Sequence, residues 1–206
     1  MTSVRTINRG ISKIPSWPLY LLLVFPGGYL FYLGLIDALG PDPIHALLIQ
    51  YGEFGLQMLI VTLLISPIQR WTGVRLIKFR RATGLLAFYY IFAHMLVFMV
   101  LDYGLDMNKI IETIIMQPFI TFGMLGFTAM VPLAITSNNL AIRKIGGVVW
   151  NKIHRLVYLA AAAGAVHYLL VVKGWPIEPF IYVGIVAILL LIRLYWRVKK
   201  FRKKMS

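Results

Sequence analysis

Residues 87–100 read AFYYIFAHMLVFMV, and thirteen of these fourteen residues are apolar or aromatic. The exception is His94. Burying an unpartnered polar group costs roughly 2–7 kcal/mol, so an imidazole at this place needs a partner. The run around it, 82–101, has the length and apolar character of a helix that crosses a bilayer core of about 30 Å. The fold therefore turns on what else in the chain is built the same way.

Five further segments match: 17–36, 54–69, 118–136, 156–172 and 178–195. They predict an all-α, polytopic membrane protein with a bundle of six transmembrane helices. Composition agrees, since 60% of the 206 residues are hydrophobic and 14% are charged, against about 25% charged in a soluble domain. None of the six predicted spans carries Lys, Arg, Asp or Glu away from its ends. Pro26-Gly27-Gly28 is expected to bend the first span, which membrane helices tolerate. No internal repeat is apparent. The first span is too long for a signal-peptide core and no small-residue cleavage site follows it, so it reads as retained. The absence of cysteine excludes disulfides and Cys-ligated zinc or iron–sulfur centres.

The net charge of +14 is distributed by loop. The N-terminal segment, the 70–81 loop, the 137–155 loop and the tail from Arg193 hold 19 of the 21 basic residues. The alternate side holds Lys109, Lys173 and all seven acids. The positive-inside rule places both termini in the cytoplasm. The basic charge then reports topology and contact with anionic membrane lipid. No nucleic-acid motif accompanies it, so nucleic acid is not expected as a partner.

Four histidines remain. His45, in PDPIHALL, reads as a solvated loop residue on the outer side. His94 lies 13 residues beyond Arg81 and His167 lies 12 beyond Arg155, so they sit about 20 Å and about 18 Å from the inner face. Ionisable residues at depth are functional candidates. Two imidazoles at one depth on two helices can clamp one metal from opposite sides, as in a b-type haem with two axial histidines. Hydrogen bonding across helices and a proton relay are the other readings. His154, in WNKIHRLVY, marks the inner boundary about 20 Å lower on what reads as the same helix. It is about 140° away from His167 in azimuth and does not share a partner with it.

RRATGLLAFYYIFAH (80–94) and AITSNNLAIRKIGGVVWNKIHRLVYLAAAAGAVHYLLVVK (134–173), with the six-span layout, resemble the MsrQ (formerly YedZ) family. These are haem-binding membrane subunits of the bacterial periplasmic methionine-sulfoxide reductase system, within the ferric-reductase-like transmembrane group. The specific part is Arg-Arg-x-x-Gly-Leu…His, then Trp-x-x-x-His-Arg-x-x-Tyr, then His-Tyr and a following Lys. The resemblance implies a six-helix bundle in the bacterial inner membrane holding haem b, and FMN as well. It implies electron transfer from the quinol pool, or from a cytosolic flavin reductase, to MsrP, a periplasmic molybdopterin reductase. It makes His94, His154 and His167 haem-linked histidines and metal ligands. On this reading residues 1–16 are a cytoplasmic N-terminal segment, 17–195 the haem-binding transmembrane domain and 196–206 a basic cytoplasmic tail. The subunit supports repair of oxidised periplasmic proteins but carries no site that reduces methionine sulfoxide itself.

Two departures stand out. The two-haem oxidases of the group carry a second histidine lower on the third span, where this chain has Arg80 and Arg81. His154 then holds a haem with a different partner, or lines a flavin or quinone site. Gln117 in QPFITFG stands where a basic residue is expected. Arg80 and Arg81 read either as positive-inside anchors or as partners of a propionate or flavin phosphate, which arginine recognises bidentately. Trp150, Lys152, His154 and Arg155 form an aromatic and basic group where an isoalloxazine or quinone ring could stack, although an aromatic belt also explains Trp150. Lys173 either meets a propionate or snorkels. Met95 and Met99 read as packing residues. No Gly-rich nucleotide loop occurs, so the electron donor is another molecule. The rival function is a small proton-coupled transporter using the histidines as a relay; against it stand the absence of carboxylates from the spans and of inverted repeats.

Overall fold

A computed structural model describes residues 2–205 apart from Lys173 and Trp175. The described residues form helices and no strands. An amphipathic helix α1 (Thr2–Lys13) precedes α2 (Trp17–Leu35) and α3 (Pro43–Thr72). Helix α4 (Arg80–Leu96) is entered through a 3₁₀ turn, Ile77–Phe79, and continues as a π-helical turn, Val97–Asp102. Then come α5 (Met107–Met116), α6 (Pro118–Ile135), α7 (Asn139–Ile153), α8 (Leu156–Val171) and α9 (Ile177–Met205). Among the described residues, five helical segments are long and apolar enough to cross a membrane, and α7 with α8, bent by 42°, makes a sixth if the pair is one span. The chain is a multi-pass membrane protein.

Three boundaries differ from expectation, each for a physical reason. The second span starts at Pro43 rather than 54, because the Asp42 side chain caps α3 by accepting from His45 N at 3.0 Å. Exposed His45 is thus a first-turn helix residue. Glu53 consequently lies within α3 rather than in a loop before it. Hydropathy penalised Gln57 and Glu53, yet both are satisfied across helices: Gln57 donates to Tyr182 Oη at 2.8 Å and Glu53 accepts from Tyr168 Oη at 2.8 Å. The fifth span is broken at His154 and Arg155, so His154 and His167 are not on one helix. The last helix runs unbroken past residue 195, and Arg193 lies half-buried on it.

Arg193 has a specific task. Pro67 lies inside α3 and has no N–H, which leaves the carbonyl four residues earlier, Leu63 O, without its helical donor. The Arg193 guanidinium donates to Leu63 O and, at 3.1 Å, to Leu189 O. It also lies over the Tyr158 ring, 5.6 Å from its centroid.

The core forms where α3, α4, α6, α8 and α9 meet. It joins Leu56, Leu59 and Leu63 to Ala87, Met130 and Leu133, and to the small residues Ala160, Ala161 and Ala165 of α8. Small side chains let membrane helices approach closely. The bundle pairs α3 with α4 and α6 with α8 most extensively. Helix α2 stays peripheral, tied to α3 by Tyr51 Oη donating to Gly27 O at 2.7 Å.

Cross-helix contacts gather the four basic segments at one end. Asn8 bridges to Gly73 O and Arg75 N at 3.0 and 2.8 Å. Arg81 Nη1 donates to Asn139 Oδ1 at 2.9 Å. Arg70 lies over the Trp196 ring at 4.5 Å.

Candidate functional site: a paired imidazole socket

His94 on α4 and His167 on α8 come together, with ring centroids 6.0 Å apart and planes inclined at 80°. Each ring is docked on a neighbouring helix through its Nδ1. His94 Nδ1 donates to Leu48 O of α3 at 2.8 Å, and His167 Nδ1 donates to Phe119 O of α6 at 2.6 Å. A carbonyl cannot donate, so both rings take the Nδ1–H tautomer. Each Nε2 is left with its lone pair, the state a metal ligand needs.

The two sockets are built alike. Leu48 and Phe119 are each followed four residues later by a glycine, Gly52 and Gly123. A methyl group on Gly52 would lie 3.2 Å from His94 Nδ1, and one on Gly123 would lie 3.0 Å from His167 Nδ1. Glycine therefore opens the side of the helix through which the imidazole reaches the backbone. A second glycine lies three residues on; a methyl on Gly55 would press on Ile91, so glycine lets α3 and α4 close there, whereas a methyl on Gly126 would make ordinary contact with Ala160 O at 3.5 Å. The signal was present in the sequence as a shared Ile-x-aromatic-Gly-x-x-Gly pattern, in LIQYGEFGLQML at 48–59 and FITFGMLGFTAM at 119–130.

The donor chemistry suits a haem: two neighbouring imidazoles, each with its Nδ1 occupied by a carbonyl and its Nε2 lone pair free, are residues that would hold its iron. Beside the pair, Glu53 and Tyr168 adjoin Gly52 and His167 in sequence and link α3 to α8. Sequence reasoning missed Glu53 because the second span was begun one residue after it.

His154 stands apart, and among the described residues no three His, Cys, Asp or Glu side chains converge as a metal set. Its ring stacks on Trp150 at 3.7 Å and 23°. Its Nε2 lies 3.1 Å from Thr136 Oγ1. That hydroxyl donates to Pro132 O at 2.6 Å, so His154 Nε2–H is the donor and its Nδ1 carries the lone pair. Trp150 Nε1 fixes the stack by donating to Thr136 O at 2.8 Å. The Arg80 and Arg81 guanidiniums lie near enough to act on the ring electrostatically. Arg81 is held by Asn139, whereas Arg155 is exposed. Arg80, Arg81, Trp150 and His154 thus gather at the basic end, while Lys173 lies outside the described residues. Gln117 caps the junction of α5 and α6.

A family model for the ferric reductase like transmembrane component matches residues 50–165, a stretch containing Gly52, Gly123, His94, His154 and Arg80. The Brucella anthropi protein-methionine-sulfoxide reductase heme-binding subunit MsrQ is 46% identical over 202 residues, covering 98% of this chain and 90% of that protein. The Brucella ovis protein of the same name is 49% identical over 187 residues, covering 89% of this chain and 84% of that protein. No solved structure matches the chain. The family match and the similarity along nearly the whole chain lead to one assignment: the chain belongs to the ferric reductase like transmembrane family and, within it, to the MsrQ subunits.

Proposed function

We propose that the protein is a b-type cytochrome subunit of a methionine-sulfoxide reductase, in which His94 and His167 would hold one haem. The observation that carries this reading is the 6.0 Å pair whose Nδ1 atoms are both bonded to helix carbonyls, leaving both Nε2 atoms for iron. The haem would supply one-electron chemistry, tuned by its ligands, their hydrogen bonds and burial. The chain's own part is to fix the ligand rings and exclude water. The names of the relatives agree with haem binding and with a reductase partner.

The finer reading keeps the termini in the cytoplasm and the bundle in the bacterial inner membrane. Electrons enter at the basic end from quinol or a cytosolic flavin reductase and leave at the acidic end towards an MsrP-like molybdopterin reductase in the periplasm. The free faces of Trp150, Arg80, Arg81 and Arg155 would meet the donor, FMN or quinone ring. His154 Nδ1 is available to a second haem or to that ring.

Glu53 supplies the carboxylate within a helix that the proton-relay reading lacked, while the likeness of 48–59 to 119–130 joins two helices that run in the same direction and is not an inverted repeat. Pinned Nδ1 atoms weigh against a relay, because a relaying imidazole must exchange protons at both nitrogens. Absorption spectroscopy separates the two readings. The purified protein should be red, with a Soret band that shifts on dithionite, and His94→Ala and His167→Ala should each lose the main haem while keeping helical content. A colourless protein from haem-replete cells, or full haem in either variant, would remove the proposal. Haem and FMN quantified per polypeptide in His154→Ala and Trp150→Leu test the finer assignments.

A further inference from the structure

We propose that the cavity between α1 and the connection from α3 to α4 binds the phosphate headgroup of an anionic phospholipid. The cavity, of about 390 Å³, is lined by Arg5, Arg9, Arg75 and Lys78, with Asn8 and Ser12 between them. All seven carboxylates of the chain belong to other segments, and the guanidinium groups of Arg5, Arg9 and Arg75 have no hydrogen-bond or ion-pair partner among the described residues. Guanidinium forks match phosphate oxygens bidentately and lose little conformational freedom in doing so.

The site is held together rather than formed by chance proximity of surface residues. Asn8 clips α1 to the left-handed Gly73 that ends α3, and to the amide of Arg75. Lys78 Nζ closes the other end by donating to Ile11 O and Ile14 O at the C-terminal end of α1. Three cations are thereby kept facing one cavity in spite of their mutual repulsion, which an anion would relieve.

The surroundings favour a lipid over a soluble phosphate. Val4, Ile7 and Ile11 recur at helical spacing along α1, with Ile14 just past its end, and Ile11 and Ile77 line the cavity itself beside the cations. Ile7 and Ile14 are exposed, as are Trp17 at the start of α2, Trp71 at the end of α3 and Ile77. Exposed tryptophans belong to the headgroup level of a bilayer. A phosphate seated on the arginines would leave acyl chains against these apolar side chains, whereas inorganic phosphate or a nucleotide makes no use of them.

The test is a native mass spectrometry titration of the purified, cofactor-loaded protein in detergent with phosphatidylglycerol, phosphatidylcholine, inorganic phosphate or FMN. Each cation facing an anionic headgroup contributes about fivefold in affinity. Phosphatidylglycerol should bind saturably, and Arg5→Gln/Arg9→Gln/Arg75→Gln should weaken it at least tenfold. Ser12→Glu, which places a carboxylate in the cavity and leaves the clips intact, should do the same if the triple variant does not fold. The tail variant Lys199→Gln/Lys200→Gln/Arg202→Gln removes equal charge elsewhere and should leave binding unchanged. Equal loss in the tail variant would overturn the site in favour of diffuse attraction. Displacement of the lipid by FMN or phosphate at comparable concentration, or equal binding of phosphatidylcholine, would overturn the lipid headgroup as occupant.

Discussion

The Gly123 Cα faces the His167 imidazole so closely that an added methyl would stand 3.0 Å from both Nδ1 and Cε1. Overpacking a rigid contact costs about 1–3 kcal/mol, and here the ring would have to leave Phe119 O. Gly123→Ala should therefore lower haem affinity about tenfold or more, and Gly52→Ala somewhat less, since its methyl would meet Nδ1 at 3.2 Å. Gly84→Ala, whose methyl would find only Thr62 Cγ2 at 3.6 Å, serves as the control. Haem occupancy by absorbance reads the result, and unchanged occupancy in Gly123→Ala would deny the socket its role.

Arg193 and Pro67 make a coupled pair although they do not exchange a hydrogen bond. Arg193→Met should leave Leu63 O buried without a donor, at about 1–3 kcal/mol. Pro67→Ala restores the backbone N–H that α3 lacks, so adding it to Arg193→Met should recover much of that loss. Thermal unfolding in detergent, followed by circular dichroism, provides the double-mutant cycle. Additive effects would show that Arg193 does not serve the carbonyl.

Tyr168 donates to Glu53 at 2.8 Å next to both sockets. Tyr168→Phe strands the carboxylate and should destabilise the bundle by about 1–3 kcal/mol. Glu53→Gln keeps an acceptor for the phenol and should cost less. The reverse order of melting temperatures would mean that the pair is not a satisfied hydrogen bond in the folded protein.

Asp106 caps α5, and the Lys109 amide it accepts from, with the Lys109 ammonium 3.2 Å away, holds its carboxyl below the usual range. A depressed folded value means that the cap's contribution is present above the unfolded pKa of about 3.9 and is lost as pH falls through the folded value. Amide exchange at 107–110, corrected for its intrinsic pH dependence, should show protection falling below about pH 4. Asp106→Asn should flatten that dependence, and a pH dependence that survives this substitution would assign the effect to another group.

Some of this was legible in the chain alone. Spans and the single basic end follow from hydropathy and charge, because transfer into a bilayer is a sum over neighbouring residues. His94 and His167 were legible as a pair because rise per residue converts sequence distance into depth. The start of α3 was not, because the polarity of Glu53 and Gln57 is cancelled by Tyr168 and Tyr182, more than a hundred residues away. Nor was the inward turn of Arg193, which is set by a proline 126 positions earlier on another helix. By itself, the sequence determined which segments enter the membrane and which two imidazoles share a level. Tertiary structure alone decided which nitrogen each imidazole presents, because the carbonyls that hold Nδ1 belong to helices 46 and 48 residues distant and are reached only where those helices carry glycine.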